Sequence, residues 1–271
     1  MPNGMKKIFD SKKYLLKEIR NSKLITLIFG PCYNTKYDFI EIDLTYDCNL
    51  KCLNCNRFCR QAPSTEEITT TQIIKFIDES IKNNRKWKGI RLIGGEPTMH
   101  HDILKIASLI VEYKKYSSDV SLRFATNGYE NKSIIEILPA EFIVENSHKT
   151  TIAQDFTPIN LAPVDLRLFN LVDFKNACPI TELCGLGLTK YGYYHCAVAG
   201  AIDRVFGFNI GRKTMPEIGD QMIDEKRRLC KYCGHFLDCF GIKKTKKELF
   251  SKSWTKAFNK YRERRPRLSE Y

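Results

Sequence analysis

The sequence predicts an α/β protein, a layer or open barrel of parallel strands followed by a smaller cysteine-rich region. Three observations predict it. Apolar runs of strand character alternate with helical ones up to about residue 146, which implies parallel pairing with right-handed crossovers. The conspicuous polar motifs "TYDCNLKCLNCNRFC", "GGEP" and "TNG" all fall at the carboxyl ends of strands, where such folds bind ligands. After residue 150 the alternation stops and cysteines return.

The elements follow in order. A helix is expected around residues 9–21, with Leu15, Leu16 and Ile19 inward. Residues 38–46, "DFIEIDLTY", alternate Ile40, Ile42 and Leu44 against Phe39, Glu41 and Asp43 and read as the first strand. Residues 70–84, "TTQIIKFIDESIKNN", place Ile73, Ile77 and Ile81 on one helical face, with Thr70 or Thr71 as N-cap. "KGIRLIGG" (88–95) is a strand ending in two glycines, "DILKIASLIVEYKK" a helix, and "VSLRFATNG" a third strand. "NKSIIEILP" and "EFIVEN" supply another short helix and strand. Residues 147–176 are irregular and proline-bearing, with little room for two more β/α units. "GLGLTKYGYYHCAVA" reads as a β-hairpin around "TKYG". In the last 29 residues Phe250, Trp254 and Phe258, with Ala257 and Tyr261, form one apolar helical stripe.

Composition narrows the class. The chain has 271 residues, 43% of them hydrophobic and 28% charged, enough to bury a core and ordinary for a soluble protein. The first twenty residues carry charges throughout and lack the apolar core of a signal peptide, and the longest apolar run, "LITLIF", is too short to span a bilayer. A cytoplasmic location is therefore expected, where thiols stay reduced, and eleven cysteines there point to metal before disulfides. The net charge is +13, and residues 243–271 hold eleven Lys or Arg against three Glu. Such a run suits nucleic acid or an acidic partner, although a solvated helix face docked by its apolar stripe is the commoner outcome.

Cys48, Cys52 and Cys55 are spaced C-x3-C-x2-C directly after the first strand, with Cys59 four residues on. Zinc, an iron–sulfur cluster, a disulfide knot and a redox dithiol are the candidates. A structural zinc site needs four ligands and is closed. Three thiolates on a [4Fe–4S] cluster leave one iron open. Spacing does not choose between these. Cys59 and Cys32 read as ordinary buried thiols.

Taken together, "CNLKCLNC" after strand one, "GGEP" after strand two and "TNG" after strand three resemble the radical S-adenosylmethionine (radical SAM) superfamily over roughly residues 36–146. The resemblance implies a partial (β/α) barrel, either abbreviated or with last strands that are short and irregular. It implies that Cys48, Cys52 and Cys55 hold a [4Fe–4S] cluster whose open iron takes the amine and carboxylate of S-adenosylmethionine. Gly94, Gly95 and Glu96 would line the methionyl amine, since glycines let backbone carbonyls approach an ammonium. Thr126 and Asn127 would lie near the ribose or carboxylate. The family often has an aromatic residue just before the third cysteine; this chain has Asn54. The implied activity is reductive cleavage of the sulfonium to a 5′-deoxyadenosyl radical, which takes hydrogen from a peptide or small-molecule substrate. A one-electron donor such as flavodoxin or ferredoxin is the implied partner.

The later cysteines resemble the auxiliary-cluster extensions called SPASM and twitch domains. Cys184, Cys196, Cys230 and Cys233 are the preferred ligands of one auxiliary [4Fe–4S] cluster, with Cys178 and Cys239 as alternates; two clusters of three thiolates each, and a structural zinc, are the other readings. The organisation expected is a lead-in over 1–35, a core over 36–176, a cysteine-rich region over 177–242 and a basic helix over 243–271. His148, Lys149, Asp155 and Tyr193 are candidate substrate-facing residues, each with an ordinary surface or packing role as its plainer reading. His100 and His101 are read as residues at a helix start. An RNA-modifying enzyme of the same superfamily is the runner-up, suggested by the basic tail. A non-catalytic zinc or iron–sulfur protein that binds nucleic acid is the rival from another class.

Overall fold

Strands and helices alternate through the first half of the protein in a computed structural model that describes residues 16, 19–129, 132–149, 157–167, 170–176, 178–238 and 247–271. The helix expected over 9–21 lies mostly outside the described residues. Helix α1 (Lys23–Phe29) is capped by Ser22, whose hydroxyl accepts from the Ile25 amide at 3.4 Å. Then come β1 (Phe39–Asp43), α2 (Thr70–Lys82), β2 (Gly89–Ile93), α3 (Ile103–Glu112), β3 (Ser121–Thr126), α4 (Lys132–Glu136) and β4 (Phe142–Asn146). Each strand sits within the run that predicts it; β1 and β2 stop before their cysteine and glycine turns, and β3 ends on Thr126, the first residue of its turn.

The N-cap of helix α2 lies one residue before the earlier of the two expected, Thr70 and Thr71. Thr69 is the N-cap: its hydroxyl accepts from the Gln72 amide at 3.2 Å, and the Gln72 side chain accepts from the Thr69 amide at 2.9 Å. Only Thr69 has a glutamine three residues ahead to complete this reciprocal pair. Ile73 and Phe76 are buried, Ile77 is half-buried and Ile81 is exposed. A spacing of four residues drifts by about 40° per step around the helix, so Ile81 has rotated off the face that Ile73 occupies.

Among the described residues the sheet has six strands in the order β4-β3-β2-β1-β5-β6. It does not close. Strands β1 to β5 are parallel, and only β6 runs against its neighbour. The last two are the predicted hairpin, β5 (Leu186–Thr189) and β6 (Gly192–Tyr194). The hairpin of the cysteine-rich region therefore extends the main sheet on the free side of β1, with Ile40 opposite Leu186 and Ile42 opposite Leu188. Gly185 permits the approach: its φ is +71°, and a Cβ there would lie 2.2 Å from the Phe39 carbonyl oxygen. Among the described residues no strand lies between Asn146 and Leu186; short 3₁₀ turns at Pro163–Asp165 and Phe174–Asn176 occupy that stretch.

Among the described residues five helices complete the second half: α5 (Ile180–Leu183), α6 (Ala197–Phe206), α7 (Ile223–Leu229), α8 (His235–Asp238) and α9 (Lys252–Glu263). One core fills the space between the sheet and α2 and α3, through Ile42, Leu92, Phe124, Ile73, Phe76 and Ile106. A second gathers Phe58, Ile202, Val205, Trp254, Phe258 and Tyr261 beneath α6 and α9. The predicted stripe of the last helix is thus docked inward, except for Phe250, which stays exposed. No described helix is long and apolar enough to cross a membrane.

Trp254 is fully buried, stacks near Phe58 at 4.4 Å between ring centroids, and donates its indole N–H to the Tyr232 carbonyl at 2.8 Å. Trp254→Ala should cost about 3–5 kcal/mol, read as a lowered urea midpoint; an unchanged midpoint would mean that α9 adds nothing to the core.

Candidate functional site

Two groups of cysteines converge, each on its own cavity. The larger cavity, of about 320 Å³, opens above the carboxyl ends of the central strands. Cys48, Cys52 and Cys55 line it together with Gly94, Gly95, Thr126 and Asn127. All come from the carboxyl end of β3 or from the turns after β1, β2 and β3. Its remaining walls carry Glu41, Arg57, Arg91, Glu145, Ser147 and Lys149.

The turns are stitched to one another. The Gly95 amide donates to the Thr45 carbonyl at 2.7 Å, and the Glu96 amide to the Asp47 carbonyl at 2.8 Å. Only glycines fit so close: a Cβ on Gly94 would lie 2.5 Å from the Thr45 oxygen, and one on Gly95 2.1 Å from the Asp47 oxygen. Glu96 is fully buried and joins the second turn to the third. Its carboxylate accepts from the Thr126 hydroxyl at 2.8 Å, the Asn127 amide at 2.8 Å and the Thr98 hydroxyl at 2.8 Å. This carboxylate faces the neighbouring turn and is not among the groups lining the cavity, whereas Gly94 and Gly95 are. Asn127 reaches back to the cysteine loop, donating to Asn49 Oδ1 at 2.7 Å and toward Cys48 Sγ at 3.9 Å.

The cysteine loop is held from outside as well. Two non-glycine residues in it, Asn54 and Phe58, take left-handed conformations with φ of +50° and +58°. Asn54, just before the third cysteine, is buried and donates to the Lys247 carbonyl at 3.0 Å, so it belongs to the outer wall and not to the cavity. Arg57 is buried and forked between Glu41 at 2.9 Å and Asp43 at 3.1 Å on β1. Burial pushes the Asp43 carboxyl up to about 6 even against the Arg57 charge. Burial would also raise Glu41, but Arg57 and Arg91 together hold it below its usual range. Arg91 continues the array to Glu145 at 2.6 Å, and Glu145 meets Arg123 at 3.2 Å. Sequence reasoning did not single out this charged floor. The signal available was charge at inward strand positions, Glu41 opposite Arg91 and Arg91 opposite Arg123.

The three loop thiols fit a metal cluster by their electrostatics. Burial first, and then the negative charges of Cys55, Glu96 and Cys52, push Cys48 up to about 11. Burial also raises Cys52. A hydrogen bond from the Cys59 thiol, the largest cause, lowers Cys55 against its burial. Soft donors that repel one another when ionised, gathered on one cavity, suit a cation that neutralises them.

The second cavity is small, about 20 Å³, and is lined by Cys178, Cys196, Cys230 and Cys233 with His195 and His235. Cys178, an alternate in the sequence reading, therefore lies with Cys196, Cys230 and Cys233. Cys184 instead lines the larger cavity beside Glu41, where burial and then the Glu41 charge push its thiol up to about 12. Cys239 lies outside the described residues, as does Asp155. Burial raises Cys233, and the charges of Cys196 and Cys230 add to it. His195 was missed by sequence reasoning, although it adjoins Cys196. Its Nε2 lies 3.3 Å from Cys230 Sγ, and its buried Nδ1 has no hydrogen-bond partner. Burial would lower its pKa, but Cys230 and Cys196 outweigh that and raise it. Ile180, Val198 and His235 line both cavities, so the two abut.

Of the other candidates, only Lys149 stands in these walls. Lys149 lines the larger cavity and His148 is exposed. Tyr193 is fully buried elsewhere, donating to Glu79 at 2.9 Å and contacting Tyr271 at 3.0 Å. His100 uses both ring nitrogens, Nε2 with the Ile68 carbonyl at 2.7 Å and Nδ1 with the Asp102 amide at 3.0 Å, and so starts α3. His101 is exposed and paired with Glu67.

Residues 42–143 match the radical SAM superfamily. This segment is a radical SAM domain. GTP 3′,8-cyclase of Aliarcobacter butzleri is 29% identical over 99 residues, 36% of this chain and 29% of that enzyme. GTP 3′,8-cyclase of Sulfurimonas denitrificans is 30% identical over 112 residues, 39% of this chain and 32% of that enzyme. The chain thus spans about a third of the length of these curated relatives. The crystal structure of BtrN in complex with AdoMet and 2-DOIA superimposes with a TM-score of 0.47 and 15% identity, covering 80% of this chain and 98% of that one. The superfamily implies S-adenosylmethionine and a [4Fe–4S] cluster, and the thiols of the larger cavity fit that group by donor type and mutual charge.

Arg57→Met would leave Asp43 buried without its partner and Glu41 with Arg91 alone, and should cost about 3–5 kcal/mol, measured by chemical denaturation. A stability equal to that of the unaltered protein would mean that the loop is anchored by other contacts.

Proposed function

We propose that the protein is a radical SAM enzyme that removes a hydrogen atom from a peptide or small-molecule substrate, assisted by an auxiliary iron–sulfur cluster. One observation carries the reading. Three thiols of one loop, a glycine turn and a Thr-Asn turn, from three consecutive strand ends, line a single cavity. Cys48, Cys52 and Cys55 would hold the first cluster. When bound, that cluster supplies one electron to the sulfonium of S-adenosylmethionine, which releases methionine and a 5′-deoxyadenosyl radical. The protein binds and orients. The Gly94–Gly95 backbone offers close carbonyls to the methionyl ammonium, and Thr126 and Asn127 face the same space. The charged floor of Arg91, Glu145 and Lys149 gives the substrate polar contacts, and the surrounding sheet limits water.

Cys178, Cys196, Cys230 and Cys233 would hold the auxiliary cluster. The proximity of the two cavities supports its use as the acceptor of an electron left on the substrate, which turns hydrogen abstraction into a two-electron oxidation. His195, buried against Cys230, would set the polarity around that site. The sequence matches to GTP 3′,8-cyclases cover 36% and 39% of this chain and say nothing of its substrate.

Anaerobically reconstituted protein should carry about eight iron atoms in two clusters. Replacing Cys48, Cys52 and Cys55 together with alanine should leave about four, and so should replacing Cys178, Cys196, Cys230 and Cys233. Iron unchanged in either variant, or stoichiometric zinc in its place, would defeat the corresponding assignment. Dithionite-reduced protein should release 5′-deoxyadenosine from S-adenosylmethionine, followed by chromatography. An intact pair of clusters that never yields it, with substrate supplied, would sink the reaction class.

A further inference from the structure

We propose that the exposed face of α9 is the docking surface for an acidic one-electron donor protein of the flavodoxin or ferredoxin kind. The inference rests on reading the cysteine loop as a reducible cluster site. Lys252, Lys256 and Lys260 recur every fourth residue and are all exposed, so they form one stripe along the helix. Arg264, Arg265 and Arg267 extend it and are likewise exposed. The nearest ion pairs are Arg60 with Glu248 and Lys190 with Glu270, and among the described residues no carboxylate pairs with any of the six. Glu263 is the one acidic residue of the helix, so the stripe carries a net positive field that no described ion pair neutralises.

Its place in the fold selects the partner. The opposite face of α9 packs on the cysteine loop itself. Phe58, between Cys55 and Cys59, sits with ring centroids 4.4 Å from Trp254 and 6.2 Å from Phe258. The segment leading into the helix is tied to the same loop: Asn54, adjoining Cys55, donates to the Lys247 carbonyl at 3.0 Å. A protein resting on the lysine stripe is thus separated from the loop by little more than one helix diameter, about 10–12 Å. Electron transfer weakens steeply with distance, so a donor must approach this loop closely, and an acidic donor is steered there by charge. Nucleic acid fits the surface less well. Trp254, Phe258 and Tyr261 are all turned inward and buried, leaving the stripe without a stacking platform.

The test compares the full reconstituted protein with its Lys252→Glu/Lys256→Glu/Lys260→Glu variant and with the corresponding triple glutamine variant. Iron content and dithionite-driven 5′-deoxyadenosine formation should be equal in all three. With a reduced bacterial flavodoxin as donor, the glutamate variant should need about tenfold more flavodoxin for half-maximal cluster reduction, with the glutamine variant between. Raising the salt concentration should weaken the flavodoxin dependence of the unaltered protein and leave that of the glutamate variant flat. Equal flavodoxin dependence in all three proteins would overturn the proposal. So would a loss of binding to transfer RNA in the variants with flavodoxin reduction intact, which would assign the stripe to nucleic acid. Absence of dithionite-driven product from the unaltered protein would remove the cluster reading itself, an outcome distinct from any change confined to the flavodoxin arm.

Discussion

A buried guanidinium fixes the cysteine loop to the sheet. Arg57 stands between the second pair of loop cysteines, Cys55 and Cys59, and is forked onto Glu41 and Asp43 of β1. Its own carbonyl accepts from Arg204 of α6 at 3.0 Å, and Arg204 also donates to the Ala62 carbonyl at 2.9 Å and the Tyr261 hydroxyl at 2.9 Å. Sheet, cysteine loop, α6 and α9 are thereby joined through two arginines that are almost wholly buried. Paired charges in such a place add little net stability compared with apolar packing, but they penalise any other arrangement heavily, because a displaced partner strands a buried charge. That penalty is what holds three thiols in register above one cavity.

The same geometry relates the two thiol groups. The hairpin of the second half pairs with β1, the strand that launches the cysteine loop, so the two cysteine-lined cavities end up on one scaffold with a shared wall. A hairpin on a separate module would have left their separation to a linker. Pairing with β1 makes it a property of the hydrogen-bonded sheet, which suits any chemistry in which charge passes from one site to the other.

The strand positions, the turns that carry the motifs and the inward stripe of the last helix were legible in the sequence, because period-2 and period-3.6 patterns report on local burial. Less legible was everything that depends on which elements lie side by side. Cys184 and Cys178 are six residues apart and equally plausible as ligands by spacing, yet the short helix α5 between them turns them toward different cavities. Glu96 belongs to a conspicuous motif, but its carboxylate is occupied by Thr98, Thr126 and Asn127. Tyr193 is engaged by Glu79 and Tyr271, more than seventy residues away on either side.

The sequence by itself determined the kind of chemistry: three closely spaced cysteines, a double glycine and a Thr-Asn-Gly turn, each at the end of a strand. Those signals are local, since a loop ligand set and a close-approach turn need particular residues at particular spacings. The tertiary structure alone decided which later cysteines stand together, that the hairpin joins the sheet at β1, and that a basic helix backs the cysteine loop. Those outcomes depend on contacts between residues far apart in the chain, and the pattern of neighbours along a sequence carries no record of them.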